Sequence, residues 1–386
     1  MREPFVTGTF LVGLNAHATD MNVHRTIVAN ACTRIVGSSQ SRVVHIATLS
    51  LDSCMSISHR LSVPILIALI CGGCTEQADV QPAKDGMVGV KLALNWYPEV
   101  EHGGFIAAEA LGLYDAEKLD VELVPGGPGA PQLVISELAA ERILFAVSDA
   151  DNVVKARASG YPIVAVLAPL QDSPRCIMVH QDSGFKTLED VADIELAISE
   201  TRPFALWMKK KLPLKNVRLI PFSGSVGEFL LKKEFAQQAF VFSEPFAAKE
   251  QGSDPQTMMV SDIGFNPYAS LLVTTEKAIR ERPELVRSMV SASVAGWGKY
   301  LADPSAGNAA IYAMSKNMSP AALEFGASAM APLCKVRDNE PLCNMTLERW
   351  KALVVQIEEV EDIKPGSVKA EECFTTEFLL PAKTAE

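Results

Sequence analysis

No apolar run in this sequence reaches the roughly 18 residues a membrane-crossing helix requires, so no permanent span is expected. Basic residues are the minority, 35 Lys+Arg against 46 Asp+Glu, giving a formal net charge of −11. A nucleic-acid binder needs a basic face to displace counterions from phosphates, which sets that class aside. Histidine is scarce: of six in the chain, only His102 and His180 lie beyond residue 74, so a histidine-built zinc site lacks ligands. Beyond residue 74 there is also no CxxC pair. The PGGPG stretch at 125–129 has no following GK[ST] and is read as a tight turn, not a phosphate-cradling loop. Ser225 lies in SGSVG, where Ser223 replaces the first glycine of a nucleophile elbow. No cofactor and no metal are called for. What remains is an ordinary globular balance, 48% hydrophobic and 21% charged, in 386 residues. That length predicts two or three domains, or one fold of two lobes.

Residues 55–74 read MSISHRLSVPILIALICGGC. Arg60 and His59 form a short basic start, 61–70 an apolar core too short for a stop-transfer helix, and Gly72-Gly73 precede Cys74. The pattern resembles a bacterial lipoprotein signal in which Cys74 is lipidated and becomes the N-terminus. Residues 1–54 show no sustained period and are read as an extension ahead of the true start at Met55, or a disordered one. The polar stretch 75–87 is a tether. Cys334 and Cys343 flank the polar KVRDNEPL, and an oxidising compartment would let them close a disulfide there. Cys176 and Cys373 are read as small buried hydrophobes.

From Val88 onward short β-rich runs alternate with helical patterns. Strands are expected at 88–96, 121–124, 143–147, 163–167, 176–179, 196–199, 217–221, 239–242, 258–260 and 270–274. Between them, helices are expected at 103–113, 132–140, 152–159, 188–191, 204–212, 226–235 and 246–250. This rhythm indicates βαβ units and mostly parallel sheets. After residue 274 the character turns helical. Pro283 opens a long helix in which Val286, Met289, Val290, Val294, Trp297 and Leu301 recur at helical spacing. Further helices are expected near 320–330 and 347–360. Around a dozen strands exceed one sheet, so the reading is two α/β lobes, the helical C-terminal part packed on the first.

Ligands of open parallel sheets gather beyond the carboxyl ends of the strands. Here those ends carry Asn95-Trp96-Tyr97, Ser148-Asp149, Ser199-Glu200-Thr201, Ser223-Gly224-Ser225 and Ser243-Glu244-Pro245. Hydroxyls, carboxylates, an amide and two rings suit a small polar or heteroaromatic ligand. Each polar residue alone is equally explained as a helix cap, but adjacent aromatics at a strand end invite stacking on a planar ring.

LNWYPEVEHGGFIAAEALGLYDAEKLDVELVPGGPG resembles the opening of substrate-binding proteins of ABC importers, in the nitrate, sulfonate and thiamine-pyrimidine-precursor (hydroxymethylpyrimidine) group. SEPFAAKEQG, SDIGFNPYASLLVTTEKAIRERPELVRSMVSA, LADP and FTTEFLLP extend the likeness over about residues 88–381. The resemblance implies a type II periplasmic-binding-protein fold: lobe one from 88–172 with 265–386, lobe two from 173–264, joined by two hinge crossings and closing on ligand. It implies an aromatic wall and a cleft histidine at Asn95, Trp96, Tyr97 and His102, with Asp149, Ser243 and Glu244 in the other motifs. Ser199, Ser225, Asn266 and Tyr268 complete the candidate set. Asn95 stands where family members commonly carry Asp.

The function implied is an extracytoplasmic, lipid-anchored, monomeric binding component of an importer, partnered by permease and ATPase subunits and holding the membrane only through its lipid. The competing expectation is a secreted enzyme. The same broad family contains a fungal pyrimidine-forming enzyme that consumes its own histidine and pyridoxal phosphate, but its cysteine-rich motif has no counterpart here. A hydrolase of a related small molecule is the other enzymatic option, and a ligand-sensing module comes third.

Overall fold

The computed structural model describes residues 84, 86–336 and 340–379. The signal segment with Cys74, the extension before it and most of the tether lie outside these residues. In chain order the strands are β1 (Val88–Ala93), β2 (Leu119–Val124), β3 (Phe145–Ser148), β4 (Ile163–Leu167), β5 (Arg175–His180), β6 (Glu195–Ala197), β7 (Arg218–Ile220), β8 (Phe235–Phe240), β9 (Pro255–Met259) and β10 (Leu271–Thr275). They form two five-stranded sheets, ordered β2-β1-β3-β10-β4 and β7-β6-β8-β5-β9.

Neither sheet is mostly parallel. β1 runs parallel to β2 and β3, and β6 to β7 and β8. β10 is antiparallel to β3 and β4, and β5 to β8 and β9. A parallel neighbour requires a crossover that returns to the same end of the same sheet. β5 and β10 are the strands reached after the chain passes from one sheet to the other, and they enter against the grain.

The two passages, 168–174 and 260–270, run side by side. Leu170 and Ala269 form an antiparallel bridge. Asn266 straps them together: its Oδ1 accepts from Ser173 N at 2.8 Å and its Nδ2 donates to Asp172 Oδ1 at 2.7 Å.

The expected helix at 226–235 stops early. It spans Gly227–Leu231, and β8 begins at Phe235 with the sequence FAQQAF. Gln237 and Gln238 hide the strand from a hydropathy reading, yet both are buried. Gln238 Oε1 accepts from Ser199 N at 2.7 Å, which satisfies the amide inside the sheet.

Pro283–Ala302 is one 20-residue helix with Val286, Met289, Val290 and Trp297 fully buried. It lies against the helix Gly103–Ala110 at backbone contact. A Cβ on Gly103 would collide with the Tyr300 ring, one on Gly104 with the Trp297 ring, and one on Gly296 with the Gly104 carbonyl. The helix Leu347–Val360 does not pack on the first sheet's helices alone. It touches Ala150–Ala158 on that side and Pro203–Lys211 on the other, where Lys210 pairs with Glu359 at 2.8 Å.

Cys334 and Cys343 are free thiols, which corrects the expected disulfide. Both are buried in the same apolar cluster as Trp297 and Tyr300 and act there as small hydrophobes. Burial raises the Cys334 thiol to about 12 and the Cys343 thiol well above its ordinary value. Among the described residues no helix is long and apolar enough to cross a membrane.

Candidate functional site

The carboxyl ends of β1, β3 and β8 and the first residue of β5 bring charged groups together from both sheets. From the first sheet, β1 leads into a turn carrying Asn95, Trp96, Tyr97 and Glu99, then a short 3-10 turn, Val100–His102. Trp96 and Tyr97 meet edge to face, ring centroids 5.5 Å apart. The 125–129 glycine loop backs them: Gly126 N donates to Trp96 O at 2.9 Å, and a Cβ on Gly127 would lie 3.5 Å from the Tyr97 ring. Trp96 is half-buried, while Tyr97 is 39% exposed and free to meet another molecule.

Glu99 occupies the cap position of that 3-10 turn without making a capping bond. It is 7% exposed and Glu101 is 2% exposed. Asp149 begins the helix Ala150–Ala158, and its Oδ1 accepts from Ser270 N at 3.1 Å. The Ser270 hydroxyl donates to the Glu101 carbonyl. Ser270 holds a left-handed backbone (φ 56°), which costs energy for a residue with a side chain and orients both bonds.

The second sheet contributes Glu244, whose Oε2 accepts from Phe240 N at 2.8 Å, together with Arg175 and Arg202. Burial raises the Glu99 carboxyl to about 8, and the Glu244 carboxylate on the opposite sheet adds to it. Glu101 is raised well above the ordinary range by burial, then by Glu99 and Asp149. Burial raises Asp149 to about 6, with Asp151 adding to it, and burial also raises Glu244. Burial lowers Arg175, with Arg202 acting in the same direction. The junction is thus a site of unlike charges from two sheets, richer in carboxyls than in guanidiniums, with an aromatic pair at the end of β1.

Of the residues expected from sequence, Asn95, Trp96, Tyr97, Asp149 and Glu244 fall on the loops that build this junction, and Ser243 precedes Glu244 as the helix cap. His102 does not line it. The ring is wholly buried, with Nε2 2.9 Å from Asn95 Oδ1. Tyr268 is a core residue: its hydroxyl accepts from Thr346 N at 3.0 Å, its ring lies near Trp350, and Arg349 covers it. Asn266 spends its amide on the strap between the crossings. Ser225 is exposed and its Oγ accepts from Gly227 N, a local capping role. Ser199 is held at the end of β6 through its backbone and is half-buried.

Glu99, Glu101, Arg175, Arg202 and Ser270 were not singled out from sequence. The PEVEH spacing after the strand-end aromatics was the available signal for the two glutamates. Nothing local marks Arg175, which reaches the junction only because β5 pairs antiparallel with β8.

Comparison with known proteins gives a consistent family. Residues 99–307 match the family described as NMT1/THI5 like. The riboflavin-binding protein RibY of Chloroflexus aurantiacus is 22% identical over 270 residues, 63% of this chain and 74% of that protein. The formylaminopyrimidine-binding protein of Halalkalibacterium halodurans is 21% identical over 324 residues, 81% of this chain and 96% of that protein. A 4-amino-5-hydroxymethyl-2-methylpyrimidine phosphate synthase of Legionella pneumophila is 29% identical over 102 residues, only 32% of that protein. Among solved structures, the periplasmic aliphatic sulphonate binding protein SsuA of Escherichia coli superposes with a TM-score of 0.59 at 14% identity, covering 77% of this chain and 95% of that one. The fold is that of the periplasmic binding proteins.

Proposed function

We propose, on the premise that the chain belongs to the NMT1/THI5-like family, that it is the extracytoplasmic solute-binding component of an ABC importer. Its lobes, 88–172 with 265–386 and 173–264, close on a small heteroaromatic ligand at the junction of the two sheets. The observation that carries this reading is the pairing of Glu99 on one sheet with Glu244 on the other, close enough for their charges to interact, beside the Trp96–Tyr97 pair. Carboxyls on both sides favour a ligand with amine or protonated ring donors, and the rings favour a planar one. A bare nitrate or sulfonate would face more carboxyls than guanidiniums. Relatives named for riboflavin and formylaminopyrimidine bind flat nitrogen heterocycles, which supports the same class.

The reading is of a binding protein and not an enzyme. Cys74 carries the lipid that tethers it, and permease and ATPase subunits receive the ligand. Native mass spectrometry of the purified protein tests the ligand class, followed by calorimetry with aminopyrimidines, riboflavin, nitrate and alkanesulfonates. A co-purifying nitrogen heterocycle that is bound and released unchanged is expected. Preference for nitrate or a sulfonate, or turnover of the ligand, would replace this reading.

A further inference from the structure

Arg175 has no acceptor of its own. It opens β5, and its guanidinium carbon lies 4.4 Å from the ring centroids of both Phe204 and Phe240. Among the described residues no carbonyl or carboxylate accepts a hydrogen bond from this guanidinium or pairs with it as an ion. Asp149, Asp151 and Glu244 act on its charge from further away. Arg175 is half-buried and none of its guanidinium nitrogens is a buried unpartnered atom, so its donors still reach solvent at the junction. Two flanking rings hold the group in place and leave its planar array of N–H donors as the part able to bind. A purely structural cation would more simply have been paired with one of the carboxyls already present.

We infer that Arg175 recognises an oxygen-bearing edge of the ligand, a planar acceptor pair such as a ring carbonyl beside a ring nitrogen, or a carboxylate. The ligand then carries acceptors toward the second sheet at Arg175 and amine donors toward Glu99 and Glu244. This deepens the proposed function and rests on the junction being the ligand site. It also gives the junction's mixed charge a purpose: each sign meets a different edge of one flat molecule.

A matched pair of probes tests it. Cytosine and 4-aminopyrimidine share the amine and the ring nitrogen beside it, and only cytosine has the adjoining carbonyl. Wild type is expected to bind cytosine about tenfold or more tightly than 4-aminopyrimidine, the ratio a hydrogen bond to a charged group supplies. Arg175→Met should abolish that ratio, and Arg175→Lys, which keeps charge but loses the planar fork, should restore little of it. The melting temperature of ligand-free Arg175→Met should stay near that of wild type, because Met keeps apolar contact with Phe204 and Phe240 and no ion pair or hydrogen bond of the guanidinium is lost.

Acetate, methanesulfonate and inorganic phosphate, scored by thermal shift, separate this inference from the pyrimidine reading. If these stabilise wild type but not Arg175→Met while neither pyrimidine binds, the heterocycle assignment fails and Arg175 keeps its role. Three results overturn the inference: the cytosine preference surviving in Arg175→Met, a lowered ligand-free melting temperature with every probe still bound, or no probe of either set stabilising wild type.

Discussion

The imidazole Nε2 of His102 lies 2.9 Å from Oδ1 of Asn95, and both side chains are buried. An amide oxygen accepts, so Nε2 donates and the ring's lone pair is left at Nδ1, which has no partner among the described residues. Burial lowers the imidazole to about 3, so the ring is neutral at ordinary pH. His102 therefore braces the far end of the turn that presents Trp96 and Tyr97. In NWYPEVEH the first and last residues are tied to each other; between them Tyr97 is exposed, Trp96 half-buried, Glu99 and Glu101 buried, and Val100 packs into the apolar core.

Trp96→Ala should weaken the endogenous ligand several-fold, since ring stacking contributes roughly 0.5–1.5 kcal/mol beyond area burial. Its half-buried position implies little change in the melting temperature of the ligand-free protein. Glu244→Gln keeps an acceptor for Phe240 N and removes the charge, and it too should weaken binding. Calorimetry and melting curves on the same preparations check both. Unchanged affinity in the two variants would remove the junction as the binding site.

Glu99 gives a pH dependence with a definite sign. Its folded carboxyl stands at about 8 against an ordinary 4.5, so the folded protein holds this proton more tightly than the unfolded chain does. Its contribution to stability is complete below about pH 4.5 and is lost as the pH rises through about 8. Glu99→Gln should flatten the melting-temperature profile between pH 5 and 9 and gain most on wild type at the alkaline end. Parallel profiles for the two proteins would contradict the burial argument.

Gly126 has no room for a side chain. A Cβ there would collide with the Leu94 carbonyl and lie 2.9 Å from Trp96 N. Gly126→Ala should shift the aromatic turn, seen as altered tryptophan fluorescence and weaker ligand binding. Gly127→Ala is the control: its Cβ would meet the Tyr97 ring at an ordinary 3.5 Å, and both readouts should stay near wild type.

Cys74→Ser should release the protein from membranes into the soluble fraction with its ligand binding intact. The anchor is acyl chain, at about 0.8 kcal/mol for each buried methylene. Wild-type protein that is soluble, with an N-terminus upstream of Met55, would end the lipid-anchor proposal.

Alternating short apolar runs and helical spacings made most strands and the long C-terminal helices legible in the sequence. Strand-end chemistry placed Trp96, Tyr97, Asp149 and Glu244. What stayed hidden depends on contacts distant in sequence. Gln237 and Gln238 look like surface residues until Ser199 supplies a partner for one of them, so the strand expected at 239–242 starts four residues later than β8 does. Glu99 and Glu101 look like solvent-facing acids, yet both are buried, with Ser270, 169 residues further along the chain, bonded to the Glu101 carbonyl. Tyr268 and Asn266 carried family-motif signals, but the core and the strap between the two passages use their polar atoms. His102 sits in the motif for the turn it braces, and that duty leaves no trace in spacing.

Hydrogen is the only substituent that fits at Gly103, Gly104 and Gly296, so the helix following the Glu99–His102 turn has no slack against Trp297 and Tyr300. The half of the junction on the first sheet is thereby moored to the C-terminal helix. On the other half, Glu244 opens a helix whose Phe246 stacks on Phe325 of the helix Pro320–Met330, whereas the Arg175 side chain on β5 is held by the rings of Phe204 and Phe240 and can be exchanged without displacing the turn that faces it. New ligand preferences in this lineage should therefore accumulate around Arg175, while the moored turn serves as the ruler against which each new ligand is measured.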